Sequence, residues 1–114
     1  MRTLQLPLPR VQELLDGKRN REIFVELYGV KQGEKIRIVP DLGRIGDIIV
    51  QVEAIKETWL AQVTEQEAIY LGAPHSGEEP THWFGLFQML SKRYHHLVGC
   101  YDVTILTFSK VWSR

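Results

Sequence analysis

The sequence predicts a small α+β domain, built on a curved sheet or open barrel of about five to six strands with two to three short helices. Three observations predict it. Apolar residues alternate with polar ones in several short stretches, the clearest being Asp47 to Ile55. Two other stretches carry apolar residues at helical spacing: Val11, Leu14 and Leu15, and then Trp83, Phe87, Leu90 and Tyr94. The strands between Arg21 and Leu60 follow one another as a meander. Without regular strand–helix alternation, a doubly wound parallel sheet is disfavoured.

Thr3 to Leu6 reads as the first strand, stopped by Pro7 and Pro9. Proline is tolerated in the first turn of a helix, so Pro9 can open the next element. Asp16-Gly17 closes that helix, the glycine being suited to a left-handed cap. A strand is expected over Arg21 to Leu27, with Arg21, Ile23, Val25 and Leu27 on one side and Glu22, Phe24 and Glu26 on the other. Lys31 to Glu34 is a turn, and Lys35 to Val39 a strand with Ile36 and Ile38 inward. Thr64 to Leu71 is a short helix, because Thr64 and Glu67 have the spacing of a capping box. Gly72 to Pro80 is an exposed loop, Thr81 to Arg93 a second substantial helix, and Val103 to Val111 a β-branched, aromatic last strand.

Length and composition narrow the classes. A chain of 114 residues, 44% apolar and 25% charged, fits one folded domain spanning 1–114 that needs no metal or disulfide to bury a core. Lysine plus arginine balance aspartate plus glutamate at 14 each. A whole-molecule attraction to nucleic acid or to an anionic membrane is therefore excluded, and any such binding must come from a local patch. No apolar run approaches the ~18 residues of a membrane span. The single Cys100 cannot form an internal disulfide, and no secretory leader is legible, so a cytoplasmic location is expected. His75, His82, His95 and His96 with Cys100 match no ligand spacing, so no metal and no cofactor are expected. A monomer is expected.

Two stretches carry chemistry beyond folding. Lys18, Arg19 and Arg21 crowd three cations into the turn before a strand that continues with Glu22 and Phe24. Arginine suits bidentate acceptors such as phosphate, and a strand phenylalanine is either core or a stacking surface. Near the end of the second helix, Lys92, Arg93 and Tyr94, followed by His95 and His96, mix cations with aromatic rings. That composition suits single-stranded nucleic acid, though cations also complement a helix C-terminus. Trp59 and Trp112 read equally as core or as ligand-stacking residues.

The order of these elements resembles an ASCH domain, of the PUA-like superfamily of small β-barrels, from Val11 to Phe108. The family signature resembles G-x-K-x-x-E-x-R. Gly17 and Glu22 match it, Arg19 replaces the lysine, Phe24 stands at the arginine position, and Gly33-Glu34 resembles the following Gly-Asp turn. The resemblance implies a PUA-like barrel with a cleft around Gly17, Arg19 and Glu22 that takes RNA or a nucleotide-like small molecule. Some small members are amidohydrolases acting on acetylated cytidine through a lysine, a threonine and a glutamate. Those positions align with Arg19, Glu22 and, loosely, Leu71. A guanidinium cannot serve as base or amine nucleophile, so no catalytic residue is assigned. Glu67, one helical turn before Leu71, is the carboxylate that could substitute.

The first reading is thus an RNA- or nucleotide-binding module. Lys18, Arg19, Arg21, Glu22, Phe24, Lys92, Arg93 and Tyr94 are its candidate contacts. The alternatives are a small hydrolase of a modified nucleoside or an RNA nuclease, and an interaction protein docking through its aromatic helix or its Pro7-Leu8-Pro9 segment.

Overall fold

The computed structural model of the protein describes residues 1–41, 46–71, 82–93 and 102–113. Among them are five strands and three α-helices: β1 (Arg2–Leu6), α1 (Leu8–Leu15), β2 (Arg21–Val25), β3 (Lys35–Pro40), β4 (Ile48–Trp59), α2 (Glu65–Tyr70), α3 (His82–Arg93) and β5 (Asp102–Ser113). A single 3-10 turn, Leu60–Gln62, links β4 to α2. The strands form one mixed sheet in the order β1-β3-β4-β5-β2. β1 runs parallel to β3, with Arg2 opposite Ile36 and Leu6 opposite Pro40. β3 runs antiparallel to β4, with Lys35 opposite Gln51. The expected inventory of strands and helices is present, but the described sheet is open rather than closed into a barrel, with β1 and β2 at its two ends. Closure depends on whether the end strands pair, which no local pattern in the chain encodes.

Two compact units make up the chain. The first holds Met1–Arg21, Gly29–Ile55 and Leu106–Arg114; the second holds Glu22–Tyr28 and Lys56–Ile105.

In the first unit, α1 begins as its prolines dictate. Pro7 is the N-cap, Pro9 sits in the first turn, and the Pro7 carbonyl accepts from the N–H groups of Arg10 and Val11. The N–H of Leu8, one of the helix's unsatisfied donors, reaches Asp41 Oδ1 at 2.9 Å. Val11 and Leu14 are buried, as their spacing predicts. At the other end, Gly17 adopts φ +74. Its N–H donates to the Leu14 carbonyl, and the Lys18 N–H donates to the Glu13 carbonyl at 3.0 Å. This is a Schellman cap, which reverses the chain within two residues. Ile36 and Ile38 of β3 are fully buried opposite Val50 and Ile48 of β4.

In the second unit, Ile23 and Val25 of β2 pack with Leu60, Val63, Ala68, Leu71, Leu90, Val103 and Ile105. Phe87 and Met89 of α3 lie partly buried against this cluster. Trp83 sits within α3, and Tyr94 lies outside the described residues. α2 carries the expected capping box: the Glu67 N–H donates to Thr64 Oγ1 at 3.1 Å, and the Thr64 N–H donates to Glu67 Oε1 at 3.0 Å.

Three strands depart from expectation. β2 stops at Val25 rather than Leu27, because Glu26 takes φ +57 and turns the chain. Its alternation is also lost, since Glu22, Ile23, Phe24 and Val25 are all buried. β4 keeps its alternation through Val52 and then continues as an exposed, polar extension to Trp59. Backbone pairing, rather than side-chain burial, sustains that extension. β5 likewise exceeds its expected bounds at both ends.

Two predictions follow from the caps. An alanine at Gly17 meets nothing within 4 Å, so its cost is conformational alone. Gly17→Ala is therefore expected to lower unfolding stability by about 1 kcal/mol in urea denaturation; an unchanged midpoint contradicts the cap. The second concerns Glu67. Burial pushes its carboxyl pKa up, but hydrogen bonds from Lys56 and Thr64 outweigh this and hold it below the ordinary 4.5. A depressed carboxylate contributes stability above its unfolded pKa and loses it as pH falls through the folded one. Thermal melts should therefore show Thr64→Ala costing about 1 kcal/mol at neutral pH. Glu67→Gln should flatten the loss of stability below about pH 4.5.

Candidate nucleic-acid interface

The Gly17 cap leads directly into the basic turn. Lys18 and Arg21 are exposed, and Arg19 between them is half-buried. Arg19 donates through Nε to Glu13 Oε2 on the last turn of α1. Glu13 is also 3.9 Å from Arg10, which is buried to 8% exposure. One carboxylate thus sits between two guanidiniums and anchors Arg19 to the helix, leaving Lys18 and Arg21 as the solvent-facing cations of the turn. The far side of the turn is tied down by a backbone bond, in which the Phe108 N–H donates to the Asn20 carbonyl at 2.7 Å.

The remaining sequence-predicted residues are distributed otherwise. Glu22 is 1% exposed, and its Oε1 accepts from the Ile23 N–H at 3.1 Å. Phe24 is 2% exposed. A ring so enclosed presents no face to a stacking ligand, so the candidate stacking role of Phe24 is corrected to core packing. The reason is that β2 is buried on both faces, which alternation alone does not foresee. Lys92 is exposed near the end of α3 and Arg93 closes that helix, both in the second unit; Tyr94 lies outside the described residues. Glu67, the carboxylate considered as a catalytic substitute, is engaged by Lys56 Nζ at 2.8 and 2.9 Å as well as by the Thr64 cap. Leu71 is buried in the second unit's core.

Two features escaped the sequence. In the first unit, Trp112 is 38% exposed and draws two lysines: Lys35 Nζ lies 5.3 Å and Lys110 Nζ 6.0 Å from its ring centroid. The signal available was the Lys-x-Trp spacing in the last strand, but Lys35 joins it only through the sheet. In the second unit, a cavity of about 250 Å³ is lined by Glu26, Tyr28, Glu57, Trp59 and Asp102 above a floor that includes Leu27 and Val103. Tyr28 and Trp59 are 68% and 56% exposed. The three carboxylates make this cavity repulsive to phosphate. Among the described residues, no group of histidine, cysteine or carboxylate side chains could hold a metal ion. No helix there is long and apolar enough to cross a membrane.

This fold is similar to that of solved ASCH domain proteins. The chain superposes on the crystal structure of ASCH from Zymomonas mobilis with a TM-score of 0.63 at 10% identity, covering 95% of this chain and 66% of that one. A single-substitution variant of the Zymomonas protein gives a TM-score of 0.66, with 68% of its length covered. The hypothetical protein PH0355 gives 0.55 at 14% identity, with 93% and 94% of the two chains covered. The chain thus spans about two thirds of the length of the Zymomonas structures and nearly all of PH0355. No protein-family model matches the sequence, and no curated protein matches it.

Proposed function

We propose that this chain is an RNA- or nucleotide-binding domain of the ASCH type, and that its basic turn is the contact surface. The observation that carries the reading is the arrangement of Lys18, Arg19 and Arg21. Two exposed cations flank a guanidinium held by Glu13, on a turn fixed at one end by the Gly17 cap and at the other by the Asn20–Phe108 bond. A backbone fixed at both ends loses little entropy when a phosphate docks, which favours pre-organised contact over a mobile charged loop. The zero net charge of the chain makes the affinity modest and strongly salt-dependent, because little long-range attraction adds to the local contacts. Within this reading Arg19 serves as an anchored acceptor-binding group.

The test is fluorescence-detected binding of short single-stranded RNA across a salt series. Lys18→Ala/Arg21→Ala is expected to weaken binding about tenfold at low salt and to reduce the slope of log K against log salt by about 1.4, roughly 0.7 per phosphate contact. Equal affinity of wild type and double variant at low salt contradicts the assignment.

A further inference from the structure

Resting on that reading, we propose that a single RNA strand runs from the basic turn along β5 to a second contact made by Trp112, Lys35 and Lys110, where a base stacks on the indole and a backbone phosphate sits between the ammonium groups. Three observations within the first unit carry it.

The first is continuity. The Asn20 carbonyl of the basic turn is bonded to the Phe108 N–H. Lys110 and Trp112 follow Phe108 by two and four positions on the same strand. At a rise of about 3.3 Å per residue they lie roughly 7 and 13 Å further along, a distance that a short oligonucleotide spans.

The second is charge. Among the described residues, neither Lys35 nor Lys110 has a carboxylate partner; both are drawn instead to the one indole ring. Two ammonium groups gathered around one aromatic ring repel each other, and an anion between them relieves that repulsion. The face of β3 that carries Lys35 also carries Arg37 two residues on, which adds to the positive potential although Arg37 is engaged by Asp47 at 3.7 Å.

The third is exposure. Trp112 keeps 38% of its surface in solvent at the end of a strand whose Leu106 and Phe108 are buried. A tryptophan left outside an adjoining core, with two lysines near its ring, complements both halves of a nucleotide: a π-face for the base and positive charge for the phosphate.

The experiment uses a labelled oligouridylate of about eight nucleotides, within the usual site size of single-strand binders. An abasic phosphodiester of equal length serves as control. Trp112→Ala should weaken the oligouridylate about tenfold while leaving the abasic control and the salt slope unchanged. Lys35→Ala/Lys110→Ala should weaken both probes and lower the slope by about 0.7, for the one phosphate held between them. Trp112→Phe, which keeps an aromatic face, should recover most of the binding, and thermal melts of all variants report folding. Wild-type affinity in Trp112→Ala and Lys35→Ala/Lys110→Ala, alongside lost binding in Lys18→Ala/Arg21→Ala, overturns this second contact and leaves the proposed function standing. Absence of binding in the wild type overturns both. An equal loss for both probes in Trp112→Ala overturns base stacking.

Discussion

The Schellman cap at Gly17 is the constraint on which the rest of the first unit's surface depends. Ending α1 there sends the chain back within two residues, so that Lys18 and Arg21 face solvent while Arg19 folds against Glu13 of the helix just left. Only a residue that tolerates φ +74 at low cost can do this. The charges then cost little to hold in place, since one carboxylate, Glu13, lies near both Arg10 and Arg19. The geometry of a helix end thus becomes the geometry of a charged surface.

The same cap delivers Asn20 to β5, where its carbonyl accepts from Phe108. The strand so bonded carries Lys110 two residues beyond Phe108. The second unit has the opposite electrostatic character where it is hollow: Glu26, Glu57 and Asp102 surround exposed Tyr28 and Trp59. A polyanion entering that cavity would meet three carboxylates at short range. Zero net charge over the whole chain conceals a basic turn in one unit and an acidic hollow in the other. The local arrangement, not the total, decides what each surface can hold.

What was legible in the sequence was local. Pro7, Pro9 and Gly17 bound α1 because their backbone preferences act at their own positions. Thr64 and Glu67 form their capping box because its partners are three residues apart. The stripe through Phe87 and Leu90 was readable from helical period, and both residues pack on the second unit's core as that period requires. What was not legible depended on the third dimension. Alternation in β2 assumes one solvated face, yet Glu22 and Phe24 are as buried as Ile23 and Val25. Glu26 turns the chain at a positive φ that its residue type does not announce. The pairing of Lys35 with Trp112 joins β3 to β5, far apart in the chain, and neither residue alone signals it. Sheet closure is equally non-local, and the order places β1 and β2 at opposite ends.

The central claim is that RNA is held by the turn after α1 and the strand bonded to it. The most direct measurement is backbone amide chemical-shift mapping during titration with the oligouridylate. The account predicts saturable shifts confined to residues 17–21, 35 and 108–112, collapsing together as salt is raised. Shifts centred on Glu26, Glu57, Trp59 and Asp102 instead would contradict it and transfer the binding site to the acidic cavity.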